Sequence, residues 1–369
     1  MKENWVRKHI ADICDKASSN IAQNKLEGLN GDYPIYGASG YVQNVDFYHR
    51  DKAYIGVVKD GSGVGRVNVY PAYSSLLGTM QYILPKEGFS LQFVAYALKS
   101  LNLASFASGA AIPHIYFKDY GQCEILVPPT KEEQEQVVAE LDLLSGVIDK
   151  QKAELKELDS LAQSTFYDMF GDPIENPKGW EVKKIGDVST DVSYGTSSPS
   201  STEGKYKYLR MNNITYEGFL DLTNLKYIDM DGAEFEKYSV REGDVLFNRT
   251  NSIDLVGKTT YIHDMEPMII AGYIIRVRLA DSVLPVYVSK FMNTLAMKKK
   301  LRSMAKGAVN QANINSKELK NIDIPVPPLS LQQEFADKIA SIEKQKTALT
   351  QSIAESQKLL DYTMDKYFG

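Results

Sequence analysis

Residues 107–129 read ASGAAIPHIYFKDYGQCEILVPP, and residues 305–328 read AKGAVNQANINSKELKNIDIPVPP. Each runs from a small-residue turn through a polar loop into a short apolar stretch that stops on Pro-Pro. Five residues further on stands a glutamine, Gln134 or Gln333, opening a long charged segment. Both segments end on Phe-Gly, at Phe170-Gly171 and Phe368-Gly369. Upstream, WVRKHIADI (Trp5–Ile13) echoes WEVKKIGDV (Trp180–Val188). The offset drifts from 175 to 198–199 residues, so the halves match at their ends and diverge between. A fixed frame around a variable middle suits a chain that presents two different binding surfaces in one geometry.

Length and composition agree with a duplication. The 369 residues divide into two halves, each long enough to bury a core of its own. Apolar content of 43% and charge of 24% are ordinary for a globular protein. No apolar stretch follows the basic residues of MKENWVRKH, so no secretory signal is expected. The apolar run Met268–Ile275 is far short of the ~20 residues that span a bilayer. Cys14 and Cys123 are the two cysteines and neither sits in metal-ligand spacing, which points to a reduced, cytoplasmic protein. The net charge of −5 is unevenly spread. Residues 131–170 carry 10 acidic and 4 basic side chains, whereas 1–130 and 171–328 are each at +1. Near-neutral domains hold phosphates weakly by themselves, so a DNA-binding role implies a partner that supplies positive charge.

Each half reads as a mixed α/β globule followed by a helix. Strand-like runs in the first are Ala53–Val58, Arg66–Tyr70 and Thr79–Leu84, and a helix is expected from Leu91 to about Ala107. In the second, Val245–Arg249, Lys258–Ile262 and Ile269–Leu279 read as strands and Val286–Ala305 as one helix. Short apolar strands, Cys123–Val127 and Ile322–Val326, close the globules, and the prolines end them. In the first long helix Val137, Leu141, Leu144, Ile148, Gln151, Leu155, Leu158 and Ala162 alternate steps of four and three. A shift of 198 gives Phe335, Ile339, Ile342, Lys346, Leu349, Ile353, Ser356 and Leu360. That spacing is a coiled-coil seam, interrupted at Gln151 and Lys346. At ~1.5 Å per residue each helix is on the order of 60 Å long and expects a partner of equal length, its twin. The expected fold is α+β: two mixed α/β domains, 1–130 and 171–328, joined by two long antiparallel coiled-coil helices, 131–170 and 329–369, with pseudo-twofold symmetry.

Catalytic and metal constellations are missing. GSGVGR (Gly61–Arg66) lacks the lysine and spacing of a phosphate-binding loop. The four histidines and two cysteines have no zinc spacing, and there is no Gly-x-Ser-x-Gly elbow and no Asn-Pro-Pro-aromatic motif. Asp172-Pro173 followed by Glu181-Val182-Lys183 resembles a nuclease metal cluster, but Val6-Arg7-Lys8 at the matching place does not repeat it. What remains is a set of matched polar loops. Lys59, Ser62 and Arg66 stand on one; Arg249, Asn251, Ser252 and Lys258 stand on its counterpart. A second pair offers His114 and Tyr116 in one half and Asn310, Gln311, Asn313 and Asn315 in the other. Tyr208–Asn213 adds Arg210, Asn212 and Asn213, with Lys205 and Lys207 for phosphates, and Tyr33–Gly40 is a weaker first-half candidate. Solvated turns account for any one of these. As a set they offer groups that hydrogen-bond base edges and phosphates, Asn and Gln suiting adenine. Lys298-Lys299-Lys300-Leu301-Arg302 reads either as a solvated helix face or as a phosphate contact.

The duplicated Pro-Pro…Gln passages ending at Gln134 and Gln333 carry a family resemblance. Met169-Phe170-Gly171-Asp172-Pro173 and Gly243-Asp244-Val245-Leu246-Phe247 add to it. Over essentially its whole length the chain resembles the specificity subunit of a type I restriction–modification system, departing at Ile112-Pro113-His114. The resemblance implies a non-catalytic subunit whose two target-recognition domains read an asymmetric, bipartite sequence in double-stranded DNA. It implies helices that dock two methyltransferase subunits, and a restriction/translocase subunit that joins for cleavage. S-adenosylmethionine, ATP and Mg would be bound by those partners. The competing reading is a coiled-coil protein-binding scaffold without DNA contact; it predicts no salt-dependent duplex binding in any company. If the helices act as a ruler, deleting one heptad from both shortens the preferred spacer and leaves both half-sites unchanged. Methylation mapping reads this, and altered half-sites would sink the ruler.

Overall fold

The computed structural model describes residues 4–109, 112–308 and 311–369. The long helices span Lys131–Phe170 and Leu329–Phe368, 40 residues each. The chain forms two compact units, one of Met1–Lys152 with Gln351–Gly369 and one of Ala153–Thr350. Each unit therefore holds one globule and a stretch of both long helices.

In the first unit a four-stranded antiparallel sheet runs in the order Cys14–Ser18, Met80–Pro85, Tyr54–Val58, Val67–Tyr70. Tyr54–Val58 is buried along its whole length, which explains its unbroken apolar sequence. A second sheet orders Gly40–Val45, Tyr33–Gly37 and Ser75–Leu76, the last two parallel. Val6–His9 pairs with Glu124–Val127 and closes the globule.

The second unit repeats each step. Its four-stranded sheet orders Ser189–Tyr194, Ile274–Leu279, Val245–Asn248 and Thr259–Tyr261. Its three-stranded sheet orders Lys226–Ile228, Tyr206–Leu209 and Ile269–Ile270. Glu181–Lys184 closes it against Asp323–Val326, and Glu181 faces Val326 as Val6 faces Val127. The core chemistry is not copied. Tyr54 and Tyr82 meet edge to face at 4.9 Å in the first sheet. The register-equivalent of Tyr82 is Arg276, 4% exposed, bonded to Asp191 at 2.9 Å and 3.9 Å from buried Asp244.

Three expected elements are broken, the two helices each by a residue that prefers its own backbone contacts. The helix from Leu91 ends at Ser100, because Asn102 turns left-handed (φ 45°) and a 3-10 turn, Leu103–Phe106, follows. The stretch Val286–Ala305 is two helices, Pro285–Met292 and Leu295–Met304. Between them Asn293 donates to the Ser289 and Thr259 carbonyls, and Thr294 caps the Met297 N–H. Ile269–Leu279 is likewise two strands, parted by a turn at Ala271–Tyr273.

Within each unit the long helices run antiparallel along the expected seam. Gln151 donates to the Ser352 hydroxyl (2.7 Å) in the first, and the Lys346 ammonium pairs with Asp159 in the second. The polar interruptions of the heptads thus meet polar partners on the facing helix. The terminal phenylalanines anchor the ends, Phe368 against Phe93 (5.2 Å) and Phe170 against Tyr287 (4.9 Å).

A buried amide fixes how each long helix leaves its globule. Gln134 accepts from the Ser90 N–H (2.8 Å) and donates to the Gly88 carbonyl (3.3 Å), at the N-cap of the helix Leu91–Ser100. In the second unit Gln332 accepts from the Leu284 N–H (2.8 Å), at the N-cap of Pro285–Met292, and donates to the carbonyls of Ser282 and Pro327. The counterpart of Gln134 is therefore Gln332, not Gln333, which is exposed and reaches Asp337. The heptad shift of 198 already places it there; counting from Pro-Pro misses by one.

Lys298 is not on a solvated helix face either. Its ammonium donates to the Tyr216 carbonyl and lies 3.4 Å from the Tyr216 ring centroid, and burial pushes it down to about 8. Two outcomes follow. Gln332→Leu strands the Leu284 N–H and lowers stability by about 1–3 kcal/mol in urea unfolding, whereas Gln333→Ala stays within about 0.5 kcal/mol. For Lys298 the unfolded chain keeps its proton up to 10.5 while the folded one releases it near 8. The destabilisation is present in full below pH 8 and is relieved as pH rises toward 10.5. Wild type should gain stability over that window relative to Lys298→Met; parallel pH curves would show that the burial has no energetic effect.

Candidate nucleic-acid interface

The loops singled out in sequence are brought together by the sheets. Strand Val245–Asn248 delivers Arg249, whose N–H donates to Tyr273 and whose carbonyl accepts from Ile314, both at 2.9 Å. Thr250–Asn251, Gln311–Asn313 and Lys306–Ala308 then form a small antiparallel sheet in which Thr250 faces Asn313. In the first unit Lys59 holds the place of Arg249: its N–H donates to Thr79 and its carbonyl accepts from Ile115. Asp60 and Ser108 both bridge to His114, as Thr250 and Lys306 both pair with Asn313. His114 and Asn313 are therefore counterparts, although their sequences around the loop differ.

Beside this corner each unit opens a cleft at the same point of its frame. The second unit's cleft, about 440 Å³, lies among Thr196–Ser200, Arg210–Asn212, Arg249 and the Ala271–Tyr273 turn. The first unit's, about 860 Å³, lies among Asn20–Gln23, Gly37–Ser39, Asp60–Ser62 and Leu77–Thr79. Backbone bonds prove the match. Gly78 donates to the Ile21 carbonyl (2.8 Å) and Gly272 to that of Thr196 (2.7 Å); Leu77 donates to Tyr36 and Ala271 to Leu209. A Cβ on either glycine would come within 3.3 Å of the accepting carbonyl, which keeps this wall thin.

The side chains differ in what they leave available. The Arg249 guanidinium lies 4.9 Å over the Tyr194 ring and donates from Nη1 to the Gly272 carbonyl (3.1 Å). Arg210 donates from Nη2 to Asn224 (2.9 Å), and Asn212 is exposed at the cleft wall. Lys59 forms an ion pair with Asp60 at 3.2 Å. Ser62 is exposed, and Arg66 curls back onto the Ser62 and Gly63 carbonyls. Tyr116 is 49% exposed and meets His114 edge to face at 5.1 Å. Asn251 binds the Asn248 amide and the Ser252 N–H, Ser252 is half-buried, Gln311 is exposed, and Asn313 donates to the Thr250 hydroxyl at 2.7 Å. Lys205 and Lys207 are exposed and lie outside the cleft, Lys207 paired with Glu266 at 3.2 Å. Asn310 lies outside the described residues.

Three candidates belong to the framework. Asn213, 2% exposed, accepts from the Arg210 N–H and donates to the Asp221 and Asn224 carbonyls, which leaves no polar atom for a base. Lys258 is buried with its ammonium on the Met211 carbonyl (2.8 Å), and burial pushes its pKa down. Asn315 caps the short helix Ser316–Lys320. The sequence reading missed Asn20, Gln23, Tyr194, Tyr273 and the Ser-Ser-Pro-Ser run 197–200. That last run carries a signal, hydroxyls clustered about one proline, comparable with the loops that were noticed. Among the described residues no group of three His, Cys, Asp or Glu is placed to hold a metal ion, and no helix is long and apolar enough to cross a membrane.

Comparison with known proteins gives the family. The model for the type I restriction modification DNA specificity domain matches twice, over residues 2–160 and 177–358. The chain is 22% identical over 273 residues to the type I restriction enzyme EcoKI specificity subunit of Escherichia coli K12, covering 69% of this chain and 58% of that protein. It is 24% identical to the StySPI specificity subunit of Salmonella potsdam, covering 98% and 88%. It is 26% identical to the MjaIX specificity subunit of Methanocaldococcus jannaschii, covering 53% and 54%. The matches thus span little more than half the length of two of these relatives. In fold it is similar to the type I restriction–modification S subunit from M. genitalium, with TM-score 0.61 at 16% identity over 99% of this chain and 96% of that one. With a model that matches both halves and accounts for the duplication, the chain belongs to the type I restriction modification DNA specificity domain family.

Proposed function

We propose that this chain is the sequence-reading subunit of a type I restriction–modification complex, with each unit's cleft and loop corner set against one half of a bipartite site in double-stranded DNA. The observation that carries the reading is the pair of clefts. They occupy one place in a repeated backbone frame and carry different side chains, which is the layout needed to recognise two different half-sites. Its relatives are named specificity subunits, consistent with recognition rather than catalysis.

The chemistry divides by exposure. Lys205 and Lys207 are suited to phosphates, whose contacts fix register without reading sequence. His114, Tyr116, Asn212, Gln311 and the cleft side chains are suited to base edges. Asn310 adjoins Gln311 and belongs with it. Two methyltransferase subunits docked on the long helices would contribute positive charge and the S-adenosylmethionine chemistry. A restriction/translocase subunit would bring ATP and Mg, the whole acting in the cytoplasm.

The test is salt-dependent duplex binding by the full chain with its methyltransferase subunit. Neutralising about six phosphates should weaken binding by roughly 10³ between ~50 and ~200 mM salt. Absence of duplex binding by an assembled complex would leave the scaffold as the better account.

A further inference from the structure

The equivalence of the two clefts exposes a chemical contrast that their sequences hide. Residue for residue, the position of Arg210 in the second unit is Gly37 in the first, because Leu209 and Tyr36 accept the same backbone bond. The position of Arg249 is Lys59, an ammonium that pairs with Asp60 at 3.2 Å. One cleft therefore has two guanidinium groups and the other has a guanidinium at neither place.

We infer that Arg249, with Arg210 beside it, makes the second unit a reader of guanine, and that the first unit's half-site is read without an arginine fork. This rests on the DNA-reading role proposed above. Several observations favour a base over a phosphate. A phosphate is held well by an exposed, flexible cation, and Lys205 and Lys207 fill that description nearby. Arg249 is instead half-buried, stacked on Tyr194 and tied through one N–H to the Gly272 carbonyl, so its plane is fixed while further donors stay available. A planar fork of fixed orientation matches the O6 and N7 acceptors of guanine in the major groove. Arg210 is tied in the same way, through Nη2 to Asn224.

The experiment is methylation mapping with the full chain and its methyltransferase subunit, comparing wild type with Arg249→Gln and Arg210→Gln. Gln23→Ala, in the other cleft, marks which half-site belongs to the first unit. Wild type should give a split motif with a G·C pair in the half that Gln23→Ala does not disturb. Arg249→Gln should lower discrimination at one such pair by about ten- to a hundred-fold and shift it toward A·T, since glutamine suits adenine. The other half should be unchanged. Three results overturn the inference: a motif unaltered by both arginine variants, methylation lowered uniformly with base preference kept, or no G·C pair in that half. If Arg249→Gln loses its thermal unfolding transition, Arg249→Met serves, keeping the apolar stem without any donor; a preserved motif there also overturns it. A wild-type complex that binds no duplex rejects the functional reading itself, whereas one that binds and methylates with an unaltered motif in the variants rejects only the role of the arginines.

Discussion

The buried amides of Gln134 and Gln332 are the constraint on which the frame depends. Each completes the hydrogen bonds at the N-cap of its globule's internal helix, and each does so from the first turn of a long helix. An unpaired backbone N–H buried there costs about 1–3 kcal/mol, so the helix cannot swing away without exposing or stranding it. The closing strand pair adds a second tether on the same exit, with Pro-Pro between them. A globule, its internal helix and the start of the outgoing helix are thereby locked into one orientation, twice.

Within that lock, the two halves solve the same packing problem with different chemistry. The first sheet centres on tyrosines, Tyr54 against Tyr82. The second puts Arg276 at the equivalent of Tyr82 and balances it with Asp191 and Asp244, while its guanidinium also donates to the Ser239 carbonyl. A buried cation survives only where it is paired and hydrogen-bonded, and Arg276 meets both conditions. The backbone register is unchanged by the exchange, which shows that pairing and the helix clamps, rather than a particular set of core side chains, hold the repeat.

What the sequence made legible follows from where the two halves are constrained. The closing strands, the Phe-Gly helix ends and the heptad seam repeat because they pack against fixed partners, and the strand runs are read from their apolar pattern except Ile269–Leu279, which a turn divides. The breaks at Asn102 and at Asn293-Thr294 are hidden in otherwise helical patterns, because a single residue's local hydrogen bonding decides them. Asn213, Lys258 and Asn315 have the composition of base readers, yet burial and capping decide their role, and neither is visible in composition. The pairing of Arg249 with Lys59 and of Arg210 with Gly37 is illegible for another reason. The offset between equivalent positions is 173 at Arg210, 190 at Arg249 and 199 at Asn313, so no single alignment shift connects them. Only the backbone bonds do.

That drift also shows how two chemically different clefts can share one scaffold. Insertions and substitutions accumulate in the cleft walls, and Gly37, Lys59, Arg210 and Arg249 belong to none of the hydrophobic clusters. Exchanging such residues changes what the cleft offers a ligand without removing an apolar side chain from the core. The elements that set orientation are the reverse: Gln332 and Phe335 are fully buried. The residues that line the clefts and those that set orientation are thus separate sets. A chain built this way can diverge in what its two clefts present while each remains fixed to the exit of its helix.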